Sequence, residues 1–226
     1  YLTTQTLGYD DSNLVTVQKS QLTRNEAALF KQQLMQSADI INVAFKNTDF
    51  ANNTVKLSGG KSVNVAVETS DTAYLPLLKV PIVTGRNFSA GYLSDAANAV
   101  IVNETFVKEA GFKQPLNQQI MSFDGNRTYT ISGVIKDYHY KPLTEKVMPQ
   151  IFTMNPANDY GTAYIKIKPG TATASLQYIS AIFKKLYPLS PFVYNFKQEQ
   201  NEQSYVTEAR WRQIILWSAI LTIFIS

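Results

Sequence analysis

The sequence predicts a mixed α+β protein of two lobes, on three observations. A β-α-β pattern spans residues 14–45, and a second spans residues 163–196. Between them lie short β-branched segments broken by Gly and Pro. Two such units bracketing a middle stretch is how an insertion between the halves of a ferredoxin-like fold reads.

The first unit opens with the strand Leu14-Val15-Thr16-Val17. Thr23 stands three residues before Glu26, a capping box in which the hydroxyl accepts a first-turn N–H and the carboxylate reaches back to the Thr23 amide. A helix then runs to about Ser37 with Ala27, Phe30, Leu34 and Met35 on its apolar face, and Ile40–Phe45 is the return strand. In the second unit Ala163–Lys168 alternates as a half-buried strand. Residues 173–187 carry Leu176, Ile179, Phe183 and Leu186 at helical spacing and stop at Pro188, and Phe192–Phe196 returns. Each helix is expected to cover one sheet face and leave the other free.

In the middle, Val55 and Leu57 precede Gly59-Gly60, and Val63, Val65 and Val67 follow. A two-residue turn would split these apolar residues between faces. A three-residue loop from Gly59 to Lys61 keeps them together, pairing Leu57 with Val63 and Val55 with Val65. Pro76 and Pro81 argue against a long helix over 74–83, and a turn follows at Thr84–Phe88. Ala99–Val102 is a strand, and Asn103 caps a short helix closed by Gly111. Tyr129–Ile135 is a strand in which Gly133 marks a bulge or a close backbone approach.

From Glu199 the chain is polar, then passes through Glu208 to an uncharged run, Ile214–Ile225. The residues from Gln213 to Ser226 would span roughly 21 Å as a helix, short of the ~30 Å hydrocarbon core. That run is apolar on every face, with Arg210, Trp211, Arg212 and Trp217 placed as an interfacial anchor. It reads as the start of a transmembrane helix, against the alternative of a buried core helix. The chain begins at Tyr1 with no leader pattern and reads as a piece of a longer protein.

Composition narrows the chemistry. The 226 residues carry a net charge of +4 with scattered Lys and Arg, which gives nucleic-acid binding little support. The absence of Cys removes disulfides, thiolate metal sites and Cys nucleophiles. The lone His139 sits in Lys136-Asp137-Tyr138-His139-Tyr140 without a second His or a carboxylate cluster, so it reads as a loop histidine packed among tyrosines. Neither GxSxG nor a P-loop is present, since Ser58-Gly59-Gly60-Lys61 sits in a hairpin. Asp10-Asp11 is surface-like. No catalytic, cofactor-binding or metal-binding residue is expected, and the chain is read as non-enzymatic.

Several stretches, taken in order, carry a family resemblance. They are Leu7-Gly8-Tyr9-Asp10, Thr84-Gly85-Arg86-Asn87-Phe88, Val102–Phe106 with Ala110-Gly111-Phe112, Ile131–His139, and Leu143–Pro149, with Tyr205 and Glu208 before the apolar run. Together they resemble the MacB-like periplasmic core domain of FtsX-family ABC transporter permeases, in the style common in Bacteroidetes. The resemblance implies a domain facing the periplasm from the bacterial inner membrane. It implies a porter-like lobe at 1–70 and 151–198, an inserted lobe at 71–150, and a C-terminal helix at 199–226 running into the membrane. It also implies a cytoplasmic ABC ATPase as motor, a homodimer or paired permease, a periplasmic adaptor, and no cofactor. Motion of the membrane helices would pass through the domain to partner or substrate. Arg210 and Arg212 would then lie outside, against the positive-inside tendency. Two other readings compete: an extracytoplasmic sensor or solute-binding module of another membrane protein, and a soluble enzyme whose terminal helix is buried.

Overall fold

In the computed structural model of the chain, residues 7–47, 51–122, 125–140, 145–155 and 157–203 are described. The first unit is β1 (Leu14–Leu22), α1 (Arg24–Leu34) and β2 (Ile40–Lys46). The hairpin β3 (Ala51–Leu57) and β4 (Ser62–Thr69) follows, then the short helix α2 (Tyr74–Leu77) and strand β5 (Ile82–Gly85). Next come α3 (Leu93–Ala97), β6 (Ala99–Asn103), α4 (Glu104–Ala110), β7 (Gln119–Met121), β8 (Thr128–Ile135) and β9 (Gln150–Thr153). The second unit is β10 (Tyr160–Ile167), α5 (Ala172–Leu186) and β11 (Val193–Phe196), and residues 197–203 turn at once into helix.

The two units interlock. Their strands form one antiparallel sheet in the order β11-β1-β10-β2, so each unit's two strands run parallel with a strand of the other unit between them. This is the ferredoxin-like arrangement the sequence predicts. The capping box forms as expected: the Thr23 hydroxyl accepts from Glu26 N, and Thr23 N donates to Glu26 Oε2 at 2.9 Å. Phe30 of α1 packs edge-on against Phe183 of α5 and against Tyr187, at 6.0 and 5.8 Å between ring centroids. Met35 does not join that face. The helix ends at Leu34, and Met35, as C-cap, is 41% exposed.

The other sheet face is covered rather than free. Leu14, Ala44 and Tyr164 pack there with Tyr74 and Leu75 of α2 and with Tyr138, Phe152 and Ile135. The alternation of β10 therefore does not mark a solvent boundary, because a second apolar layer meets it.

The larger sheet has the order β5-β8-β6-β9-β4-β3-β7, and β7 also pairs with β8. The pairing thus closes on itself through β8, β6, β9, β4, β3 and β7, which removes the free edges that isolated strands would leave. Val55, Val65, Val100, Ile120 and Ile131 fill one core with Phe106 of α4. The hairpin belongs to this closed sheet, because β4 runs parallel to β9 with Ala66 opposite Gln150. Sheet membership therefore places 51–69 and 151–153 with the middle segment, whereas the boundaries expected at 70 and 151 put them with the ferredoxin-like lobe.

The hairpin loop is also corrected. It has three residues, but they are Ser58–Gly60, with Val55 opposite Val63 and Leu57 N donating to Lys61 O. Gly59 and Gly60 have φ of 99° and 86°, so both belong inside the loop. Val55, Leu57, Val63 and Val65 are all buried, so the shared face was read correctly even though the partners shift by two.

Candidate functional site

The site lies where the two sheets meet, and the chain termini of the described structure converge on it. Strand β2 leaves its sheet at Lys46, and strand β4 returns to the same place: Lys46 and Ser70 form an isolated bridge, and Asn47 N donates to Thr69 O at 3.0 Å. Ser70 N donates to Thr153 O at 3.0 Å, which ties in the end of β9. Asn158 Nδ2 donates to Thr69 Oγ1 on the way into β10. Arg24 Nη2 donates to the Met154 and Asn155 carbonyls, and Nη1 to Tyr160 Oη at 2.7 Å, fastening that connection to α1.

A cavity of about 190 Å³ opens at this seam, lined by five tyrosines (Tyr9, Tyr74, Tyr138, Tyr140 and Tyr164) and by Lys46, Glu68 and Lys197. Lys46 Nζ lies 2.8 Å from Glu68 Oε2, with side chains 9% and 1% exposed. Gln150 Nε2 donates to Glu68 Oε1 and lies 3.3 Å from Tyr138 Oη. Burial, followed by the neighbouring phenol or carboxylate, pushes the Tyr74 and Tyr138 hydroxyls well above their ordinary range, so both stay protonated. Burial, with Lys46 nearby, pulls the Lys197 ammonium down.

The segment before β1 crosses both lobes. His139 N donates to Leu7 O at 2.7 Å, and Asp10 N to Leu78 O at 2.8 Å. The Asp10 carboxylate meets Lys79 at 2.8 Å on one lobe and Lys166 at 3.0 Å on the other. Burial alone would raise its pKa, yet hydrogen bonds from Lys79, Ser12 and Lys166 outweigh that and hold it far below the usual range. The exit helix closes the clasp: Asn201 Nδ2 donates to Tyr9 Oη at 2.9 Å and to Asp11 Oδ2 at 2.7 Å. Asp10-Asp11, read from sequence as surface acids, are thus the tether between entry, exit and both lobes.

Asp71 supplies a pH readout of the seam. Its N donates to Phe45 O, its Oδ1 accepts from Ala73 N at 3.1 Å, and burial raises its pKa to about 6. A folded-state pKa above the unfolded value of about 4 means stability is greatest below that value and falls as pH rises towards 6. Asp71→Asn should flatten this fall and raise stability at neutral pH. Two pKa units correspond to about 3 kcal/mol, and screening at a half-buried side chain reduces this to roughly 1–2 kcal/mol. Urea midpoints of both proteins at pH 4, 5, 6 and 7 test it: parallel curves would refute the assignment.

The residues flagged from sequence divide clearly. Among the described residues no cluster of three His, Asp or Glu could hold a metal. Asp137, beside His139, instead accepts from Thr105 N at 3.0 Å and Thr105 Oγ1 at 2.7 Å, anchoring the start of α4. Arg86 of the Thr84–Phe88 stretch forms a fork on Asp95, at 2.6 and 2.7 Å, and Phe88 is buried. The expected membrane anchor, Arg210, Trp211, Arg212 and Trp217, lies outside the described residues, and so does the apolar run. Among the described residues no helix is long and apolar enough to cross a membrane. Sequence reading missed Lys46, Glu68, Gln150 and Lys197. The available signal was a charge at the end of each of two apolar strands, Ile40–Lys46 and Val63–Glu68.

A ferredoxin-like lobe interrupted by a second α+β lobe, with entry and exit joined at the seam, defines the class: a two-lobed α+β insertion domain. Within that class, residues 2–179 match the MacB-like periplasmic core domain, and the chain belongs to that family. It is thereby a periplasmic domain of the MacB/FtsX-like ABC transporter permeases. The periplasmic region of MacB from Actinobacillus actinomycetemcomitans superposes with a TM-score of 0.65 at 13% identity, covering 87% of this chain and 94% of that one. The extracellular domain of the noncanonic ABC-type transporter YknZ from Gram-positive bacteria gives 0.60 at 11% identity, covering 81% and 98%. At these identities the likeness is one of fold. No curated protein matches the chain.

Proposed function

We propose that this domain is a non-catalytic transmission element that turns movement of a permease's membrane helices into displacement of its two lobes. The observation that carries the reading is the clasp. Asn201 of the exit helix holds Tyr9 and Asp11 of the entry segment, and Asp10 between them holds Lys79 and Lys166 on opposite lobes. A pull on either end therefore reaches both lobes through short polar contacts rather than through a flexible linker. In this reading Ile214–Ile225 enters the bilayer with Arg210, Trp211, Arg212 and Trp217 at its surface. A cytoplasmic ABC ATPase supplies the work, a second permease copy completes the assembly, and a periplasmic adaptor or substrate receives the motion.

The test uses the full-length permease with its ATPase in lipid. Spin labels at Lys56 on β3 and Lys185 on α5, both exposed, report the distance between lobes. A distance distribution that moves between nucleotide-free and ATP-bound states is expected, and moves less when Asn201→Ala opens the clasp. Identical distributions in both nucleotide states would overturn the reading.

A further inference from the structure

We propose that the seam cavity is a binding site for a small organic carboxylate, held by Lys197 and walled by the tyrosine rings. The first ground is charge placement. Among the described lining residues Glu68 is the one carboxylate against two lysines, and it is already engaged by Lys46 and Gln150. Lys197 is left facing the cavity with a 3.4 Å contact to Gln200 Oε1, a neutral group. Asp11, outside the lining, draws on the same ammonium, but its Oδ2 accepts from Asn201. Lys197 is half-buried at the cavity wall, and an anion entering the cavity would lie against its ammonium.

The second ground is the wall. Gln18 and Thr162 add amide and hydroxyl donors, while the rings of five tyrosines give an organic body something to lie against. The volume, about 190 Å³, exceeds what one water needs and falls below a drug-sized pocket, which suits a molecule of a few heavy atoms. One uncompensated charge selects a monoanion. Inorganic phosphate would bring a second negative charge into a seam that already holds Glu68. The site is built from both lobes and the exit helix, so an occupant would lie between Lys46 and Tyr164 of one sheet, Tyr74 of α2, Tyr138 and Tyr140 of the segment after β8, and Lys197. The proposal rests on the cavity's composition and stands apart from the transmission reading.

Thermal unfolding of the 226-residue chain is followed with increasing acetate, benzoate or inorganic phosphate at constant ionic strength. A ligand that binds the folded form raises Tm with concentration. Benzoate and acetate are expected to raise it, and Lys197→Met to weaken the apparent affinity at least about tenfold, the value of one charge-assisted hydrogen bond. Lys197→Arg and the remote, exposed Lys56→Met should keep the response, which guards against a variant that merely folds poorly. Three results would overturn the proposal: no shift with either carboxylate, equal loss in Lys56→Met and Lys197→Met, or a response to phosphate as large as that to benzoate.

Discussion

Replacing Glu68 with alanine is expected to lower the unfolding free energy by roughly 3–5 kcal/mol, the range seen when one partner of a buried ion pair is removed. Glu68 is 1% exposed, accepts from Gln150 and faces Lys46 at 2.8 Å. Without it a buried ammonium loses its counter-charge, and Gln150 Nε2 loses its carboxylate acceptor. The pair itself is a different quantity from the cost of breaking it. Two desolvated charges repay little net energy over an apolar pair of similar volume, so Lys46→Met with Glu68→Leu should recover most of the loss. Urea denaturation of Glu68→Leu, Lys46→Met and the double variant gives the coupling directly. Additive losses in the double variant would show that Glu68 acts through packing rather than through Lys46.

The same pair shows why part of this structure could be read from sequence and part could not. Periodicity reports which face of one element is apolar, so α1, α5 and the strands β1, β10 and β11 were legible, as was the order of the two β-α-β units. Parity likewise put Val55, Leu57, Val63 and Val65 on one side. It cannot separate two three-residue loops, because shifting partners by two leaves every face unchanged. Only the observed pairing of Val55 with Val63 and of Leu57 with Lys61 distinguishes them, since both loops contain the two glycines. Sheet membership was hidden for a related reason. A hairpin with one apolar face fits either lobe, and only the parallel pairing of β4 with β9, some eighty residues apart in sequence, assigns it. The seam was the least legible. Its charges sit at strand ends, where a sequence places solvated residues by default, and their burial depends on three chain segments meeting at one point.

Gly133→Ala should be as damaging as the loss of Glu68, for a purely steric reason. Its backbone does not need positive φ; what it needs is the missing side chain. A Cβ there would lie 2.3 Å from the carbonyl oxygen of Arg86 and 3.2 Å from its carbonyl carbon, backbone atoms that cannot swing aside. Gly133 sits opposite Gly85 across β5 and β8, and beside the bulge where Val100 pairs with Ile131 but Ile101 with Gly133. That extra residue lets Ile131 and Val134, three apart, enter the same core. Relief of the clash would have to move β5 away and with it the Arg86 fork on Asp95. Overpacking against yielding side chains costs about 1–3 kcal/mol, so a clash with backbone should cost about 3 kcal/mol or more. The comparison is Gly59→Ala: φ there is +99°, nothing lies within 4 Å, and a penalty of only about 1–2 kcal/mol for the backbone conformation is expected. Chemical denaturation of the two variants side by side separates the causes. If Gly133→Ala proves no worse than Gly59→Ala, β5 is loosely held and the close approach of Arg86 does not organise this edge.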